Sequence, residues 1–171
     1  FVVPMVRRSC GVCESCLSGS PDMCFTGDFV ERGIKGLHGM LCEYIAESPR
    51  YLVPLPKEAV GYGVLAEPMS IVAKAVRQAE MIRKRIPRPP KRALVLGAGP
   101  IGLLATMVFR LLGLETVTVA RRPASSAKAK IVEACGGGYV STGEVPVPSL
   151  TEKAGLFDLI FEATGDAGVA F

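Results

Sequence analysis

Four cysteines fall within fifteen residues near the start of the chain: Cys10, Cys13, Cys16 and Cys24, in the pattern Cys-x2-Cys-x2-Cys-x7-Cys. Four thiolates this close together can wrap one tetrahedral ion, and zinc held by four sulfurs with no open position shapes a lobe and does no chemistry. An iron–sulfur cluster and a pair of disulfides are the competing readings. Bacterial ferredoxins share the opening spacings but place the fourth Cys after three residues and before Pro. Here seven residues intervene and Phe25 follows. Disulfides suit small secreted domains, whereas this composition is that of an intracellular chain, which gives the expectation of a cytoplasmic protein. Cys42 and Cys135 read as ordinary thiols.

Of the 171 residues, 49% are hydrophobic and 21% charged, which excludes intrinsic disorder and predicts a globular chain with a real core. The net charge of +4 is too small and scattered to imply nucleic-acid binding. The densest basic run, Arg83-Lys84-Arg85 to Lys91-Arg92, is interrupted by Pro87, Pro89 and Pro90 and reads as a solvated linker. The stretch Ala93–Phe109 is uncharged and could pass for a membrane span. Gly97, Gly99, Pro100 and Gly102 interrupt it where a strand would turn into a helix, so no membrane association is expected. The chain begins on Phe1 and shows no signal-peptide pattern, which gives the expectation of an internal fragment.

Up to about residue 60 only short apolar stretches occur. From Ala66 to about Lys84, Met69, Val72, Ala73, Val76, Ala79 and Ile82 recur at three- and four-residue steps behind Pro68, which predicts a helix. The run Ala93-Leu94-Val95-Leu96 reads as a buried parallel strand. A glycine turn, an apolar helix to about Leu112 and a strand Thr116–Val119 complete a β-α-β unit. A further helix is expected at about Ser125–Cys135 and a further strand at Leu156–Phe161.

The turn Gly97-Ala98-Gly99-Pro100-Ile101-Gly102 fits G-x-G-x-x-G. By itself the pattern is weak, but between a strand and a helix it is the dinucleotide fingerprint: glycines permit a tight turn, close approach of a pyrophosphate, and close strand–helix contact. An NAD site would place Asp or Glu at the end of the next strand, about 20 residues on, to hold the ribose 2′-hydroxyl. This chain has Ala120-Arg121-Arg122 there. The planar, permanently charged fork of Arg suits a 2′-phosphate, so NADP is preferred and NAD remains possible.

With its four-Cys lobe about eighty residues ahead of the glycine turn, the chain resembles the zinc-dependent medium-chain alcohol dehydrogenase superfamily. The segments Thr26–Ile34, Leu37-His38-Gly39 and Leu65-Ala66-Glu67-Pro68 resemble its glucose dehydrogenase branch. The resemblance implies an α/β fold: residues 1–62 as the C-terminal part of a GroES-like catalytic domain with a structural zinc lobe, and 63–171 as the N-terminal part of a Rossmann domain. It implies Glu67 as a catalytic residue at or near a catalytic zinc, Glu31 as a contact to sugar hydroxyls, and Thr164 among the cofactor-binding residues. His38, the single histidine, sits in a glycine-flanked loop and reads as a structural or cleft-rim residue rather than a ligand.

The resemblance also implies further catalytic zinc ligands upstream of residue 1, so that the chain by itself is expected to lack dehydrogenase activity. The function expected of the parent enzyme is NADP-preferring, zinc-dependent oxidation of an aldose or polyol, and the relatives suggest a homo-oligomer, tetramer or dimer. A sorbitol- or threonine-type dehydrogenase and a noncatalytic zinc- and nucleotide-binding module are the alternatives.

Overall fold

The computed structural model describes residues 1–166 and 168. The chain divides into two compact units, Phe1–Val64 and Leu65–Phe171.

The first unit is built from very short elements, as its lack of hydrophobic period predicts. Strand β1 (Val2–Pro4) pairs antiparallel with a later strand. After β2 (Arg7–Arg8) the chain enters the cysteine lobe, which contains the helical turn α1 (Glu14–Leu17) and a 3-10 turn at Pro21–Met23. It returns as β3 (Val30–Arg32), followed by β4 (Gly36–Leu37) and β5 (Leu52–Pro54), the partner of β1. β2 and β3 pair antiparallel, Arg7 opposite Glu31 and Arg8 opposite Val30, so the lobe leaves and re-enters the unit through one two-residue neck. Charged side chains fasten that neck. Arg7 Nε donates to Glu31 at 2.9 Å, and the Glu47 carboxylate accepts from both Arg8 and Arg32, the latter at 2.7 Å.

In the second unit, α2 (Ala66–Arg83) precedes β6 (Arg92–Leu96), α3 (Pro100–Leu111), β7 (Glu115–Ala120), α4 (Ala127–Ala134), β8 (Gly138–Ser141), α5 (Leu150–Ala154) and β9 (Leu159–Glu162). The four strands form one parallel sheet in the order β8-β7-β6-β9, the arrangement of a Rossmann-type nucleotide-binding fold. Strand alternation divides the core into two layers. Ala93 and Val95 join Val72 of α2 and Leu104, Ala105 and Phe109 of α3 on one face. Leu94 and Leu96 join Val119 and Leu150 of α5 on the other. A strand buried on both faces has to be apolar throughout, which is why β6 shows no polar alternation.

The expected α2, β6, α3 and β7 are all present, and the uncharged stretch 93–109 is β6, the glycine turn and most of α3. By length and composition alone the helical run 57–83, which holds an 18-residue stretch of mean hydropathy 1.2, could cross a membrane. It breaks at Tyr62, where φ is −130°, and beyond Ala66 it contributes the fully buried Val72 to the core. Two elements were not expected, β8 and α5. The last strand begins at Leu159 rather than Leu156, because Gly155 turns the chain at φ +74° and the Asp158 carboxylate is tied to the Lys91 and Arg92 amides at 2.9 and 3.1 Å.

Candidate metal centre and nucleotide site

The sulfurs of Cys10, Cys13, Cys16 and Cys24 all lie within 4.8 Å of one another, and Cys13 Sγ is 3.9 Å from Cys24 Sγ. Four Zn–S bonds of about 2.3 Å in a tetrahedron put sulfurs about 3.8 Å apart, so the residues fit a four-sulfur zinc site. Local structure prepares the thiols. The Val12 and Cys13 amides bring the Cys10 thiol down to about 6, and the Thr26 hydroxyl lowers Cys24. Burial pushes Cys16 up to about 12, so its proton is displaced by a bound cation rather than lost to water. Cys13 is the buried member, 4% exposed. Cys42 is exposed and Cys135 half-buried, and neither joins the cluster.

Glu67 stands in the first turn of α2, exposed, where a carboxylate complements the positive end of the helix. Among the described residues no second group of three or more metal-ligating side chains exists. Three protein ligands are usual for a catalytic zinc, so Glu67 by itself does not hold one. Glu31 lies in β3 and not in a solvated loop. Its half-buried carboxylate is paired with Arg7, whose guanidinium also stacks 3.8 Å over the Phe29 ring. His38 is exposed in the loop after β4, and its carbonyl accepts from Arg32.

The glycine turn joins β6 to α3. Gly97 takes φ +102°, and a Cβ there would lie 2.8 Å from the Ala163 carbonyl oxygen. A Cβ on Gly102 would lie 1.9 Å from the Gly97 carbonyl oxygen, whereas one on Gly99 would meet nothing within 4 Å. The three glycines therefore do different things: Gly97 and Gly102 let backbones touch, and Gly99 leaves open space at the start of α3. Pro100 occupies the first helical turn, where it gives up no hydrogen bond, and Ile101 packs against the core. The first amides of a helix lack intrahelical partners and favour an anion, so an open helix start behind Gly99 fits a pyrophosphate.

Arg121 and Arg122 follow the last residue of β7 and are both exposed. Arg7, Arg8, Arg32, Arg88 and Arg92 are ion-paired, but among the described residues no carboxylate pairs with Arg121 or Arg122. Thr164 follows β9 beside Gly97. Its hydroxyl donates to Glu162 and accepts from the Asp166 amide at 3.0 Å, so it meets a ligand only as an acceptor. Glu162 also takes the amides of Thr164 and Gly165 and is held below the usual carboxylate range by these donors, the Thr164 hydroxyl foremost. Sequence reasoning missed Glu162, Glu47 and Tyr139, whose phenol donates to the Arg122 carbonyl at 2.8 Å. Only Glu162 had a signal, its place at the end of a strand beside the glycine turn.

A parallel sheet with a glycine-rich strand–turn–helix, carried with a four-thiol lobe, defines a dinucleotide-binding protein of the zinc-dependent medium-chain dehydrogenase class. Within it the chain belongs to the glucose dehydrogenase family, whose C-terminal model, described as "Glucose dehydrogenase C-terminus", matches residues 60–171. It is 49% identical to a glucose 1-dehydrogenase of Methanocella arvoryzae, over 100% of this chain and 48% of that protein. It is 47% identical to glucose 1-dehydrogenase 2 of Vulcanisaeta moutnovskia, over 99% and 46%. The structure of Haloferax mediterranei glucose dehydrogenase in complex with NADP, Zn and gluconolactone superposes with a TM-score of 0.87 at 34% identity, over 99% of this chain and 49% of that one. The chain thus spans about half the length of these relatives.

Proposed function

We propose that the chain carries the structural zinc lobe and the adenosine-binding half of an NADP-preferring glucose 1-dehydrogenase, an oxidoreductase that moves hydride from the sugar to the nicotinamide. The observation that carries the reading is the open glycine turn before α3, at the end of β6, together with an arginine pair after β7 that no carboxylate among the described residues neutralises. The relatives named glucose 1-dehydrogenase support the substrate, and the NADP, Zn and gluconolactone of the Haloferax mediterranei complex support the cofactors. On this reading the first unit is part of a GroES-like catalytic domain and the second part of a Rossmann domain.

Bound NADP would supply the hydride acceptor. The chain's own residues do the holding. The Gly97–Gly102 turn receives the pyrophosphate against the first amides of α3, and Arg121 and Arg122 receive the 2′-phosphate. Cys10, Cys13, Cys16 and Cys24 hold a zinc that fixes the lobe. Those thiols must stay reduced, which supports a cytoplasmic location. Glu67 contributes one group toward a catalytic zinc, and Glu31 reaches sugar hydroxyls only by sharing its carboxylate with Arg7.

The test is cofactor reduction by the complete protein with glucose, sorbitol and threonine, each with NADP and with NAD. Fastest turnover with glucose and NADP is expected. Preferential NAD-dependent oxidation of sorbitol or threonine would replace this reading with that of another branch of the superfamily.

A further inference from the structure

An arginine reads a phosphate well only if its own backbone is held still, because the side chain is long and its planar fork must arrive in one orientation. Arg121 and Arg122 sit where the sheet has ended. The last paired residue of β7 is Ala120, opposite Ser141, and one more bond follows, from the Thr142 amide to the Ala120 carbonyl at 2.9 Å. On the far side the chain is fixed again at Pro123, whose carbonyl accepts from the Ser126 amide at 3.0 Å. Ser126 then caps α4 by accepting from the Ala129 amide at 3.3 Å. Between these anchors, the Tyr139 phenol donates to the Arg122 carbonyl at 2.8 Å. It is the one side chain tied to the main chain of either arginine among the described residues.

Tyr139 is well placed for this task. It lies in β8 opposite Thr118, so its own backbone is fixed by the sheet, and its half-buried ring reaches forward to the bend after β7. A rigid strand therefore hands its order to an exposed turn through one hydroxyl.

We infer that Tyr139 is a positioning residue for recognition of the cofactor's 2′-phosphate: it pins the Arg122 carbonyl and so aims the Arg121–Arg122 pair. The inference rests on the NADP reading above. Its consequence is selective. NAD has no 2′-phosphate and gains nothing from aimed arginines, so loss of the phenol hydroxyl weakens NADP and spares NAD.

The experiment is calorimetric titration of NADP and NAD into four proteins: wild type, Tyr139→Phe, Arg121→Ala/Arg122→Ala, and the triple variant. Tyr139→Phe should weaken NADP roughly three- to tenfold, the scale of one neutral hydrogen bond, with NAD affinity unchanged. In the background without the arginines the same change should have no effect on either cofactor, the non-additivity expected of residues that act through one another. A thermal melt of Tyr139→Phe separates this from general damage, which would lower both affinities together. If the arginine pair discriminates between the cofactors but Tyr139→Phe does not, or if its effect persists in full without the arginines, the positioning role is wrong and the NADP reading stands. If removing the arginines leaves NADP and NAD affinities in their original ratio, the NADP reading falls and the inference falls with it.

Discussion

A Cβ at position 102 would sit 1.9 Å from the carbonyl oxygen of Gly97, so the two glycines touch backbone to backbone across the turn that opens α3. Gly102→Ala must push α3 off β6, and α3 carries Leu104, Ala105 and Phe109 of the core. A loss of about 1–3 kcal/mol or more is expected, as for an overfilled core, together with loss of nucleotide binding. Gly99→Ala is the control. Its backbone, φ −77° and ψ 179°, is open to any residue and its Cβ meets nothing. The melting temperature should hardly move, yet NADP affinity should fall, because the methyl group takes the space the pyrophosphate needs. Thermal melts and calorimetry on both variants check this, and a wild-type melting temperature for Gly102→Ala would contradict it.

Zinc should bind one ion per chain at the four-thiol lobe. Cys13, the buried member, is the informative substitution. Cys13→Ser should release the ion and loosen residues between the two strands of the neck, while NADP affinity is retained because the nucleotide site lies wholly in the second unit. Elemental analysis and calorimetry together read both halves of the statement. Iron with visible absorbance, or four thiols oxidised in pairs, would overturn the assignment.

What was legible in the sequence was whatever a local pattern encodes. The thiol spacing is itself a ligand geometry, and the short apolar run that ends at the glycine turn reads as a strand buried on both faces. β8 was not legible: it begins on the last of three glycines in a row, Gly136 to Gly138, and is a strand because the edge of β7 pairs with it. Glu47 was invisible for a similar reason. Its partners Arg8 and Arg32 are 39 and 15 residues away, and no periodicity links them. Arg7 and Glu31 are 24 apart, so a carboxylate that reads as a free sugar contact turns out to be paired.

Glu47 gives a prediction in pH. The Arg8 and Arg32 guanidiniums hold its carboxyl down at about 2, against an ordinary value of 4.5. A carboxylate with a lowered folded-state value stabilises the protein above its unfolded value and loses that contribution as pH falls toward the folded one. Glu47→Gln should therefore be less stable than wild type at neutral pH. The two should converge between pH 4.5 and about 2. Denaturant unfolding of both proteins across that range is the measurement, and a stability gap independent of pH would show that the carboxylate's charge is not what matters.

Cofactor choice should follow Arg121 and Arg122. With Ala120-Arg121-Arg122 in place of an acid at the end of β7, and both cations without a carboxylate partner among the described residues, replacing both with Ala should cost NADP about 1.5–3 kcal/mol, the range for charge-assisted hydrogen bonds. NAD should lose far less. Equal losses would mean that the pair is a solvated strand end.

The last prediction concerns two buried hydroxyls beneath the glycine turn. Thr106 and Thr118 are 1% and 0% exposed, and their Oγ1 atoms lie 2.7 Å apart. Thr106 also donates to the Gly102 carbonyl at 2.9 Å. A hydroxyl has one proton, so Thr106 spends its own on Gly102 and must accept from Thr118. The two substitutions are then unequal. Thr118→Val removes a donor and leaves Thr106 bonded to the turn, whereas Thr106→Val strands the Thr118 proton in the core and frees the Gly102 carbonyl. The cost of leaving a buried polar group unpaired is about 1–3 kcal/mol, so Thr106→Val should be the more destabilising. The double variant frees the same carbonyl but strands no hydroxyl, so it should be more stable than Thr106→Val alone. Denaturant unfolding of the four proteins decides it: a double variant less stable than Thr106→Val would show that Thr118 has another partner for its proton.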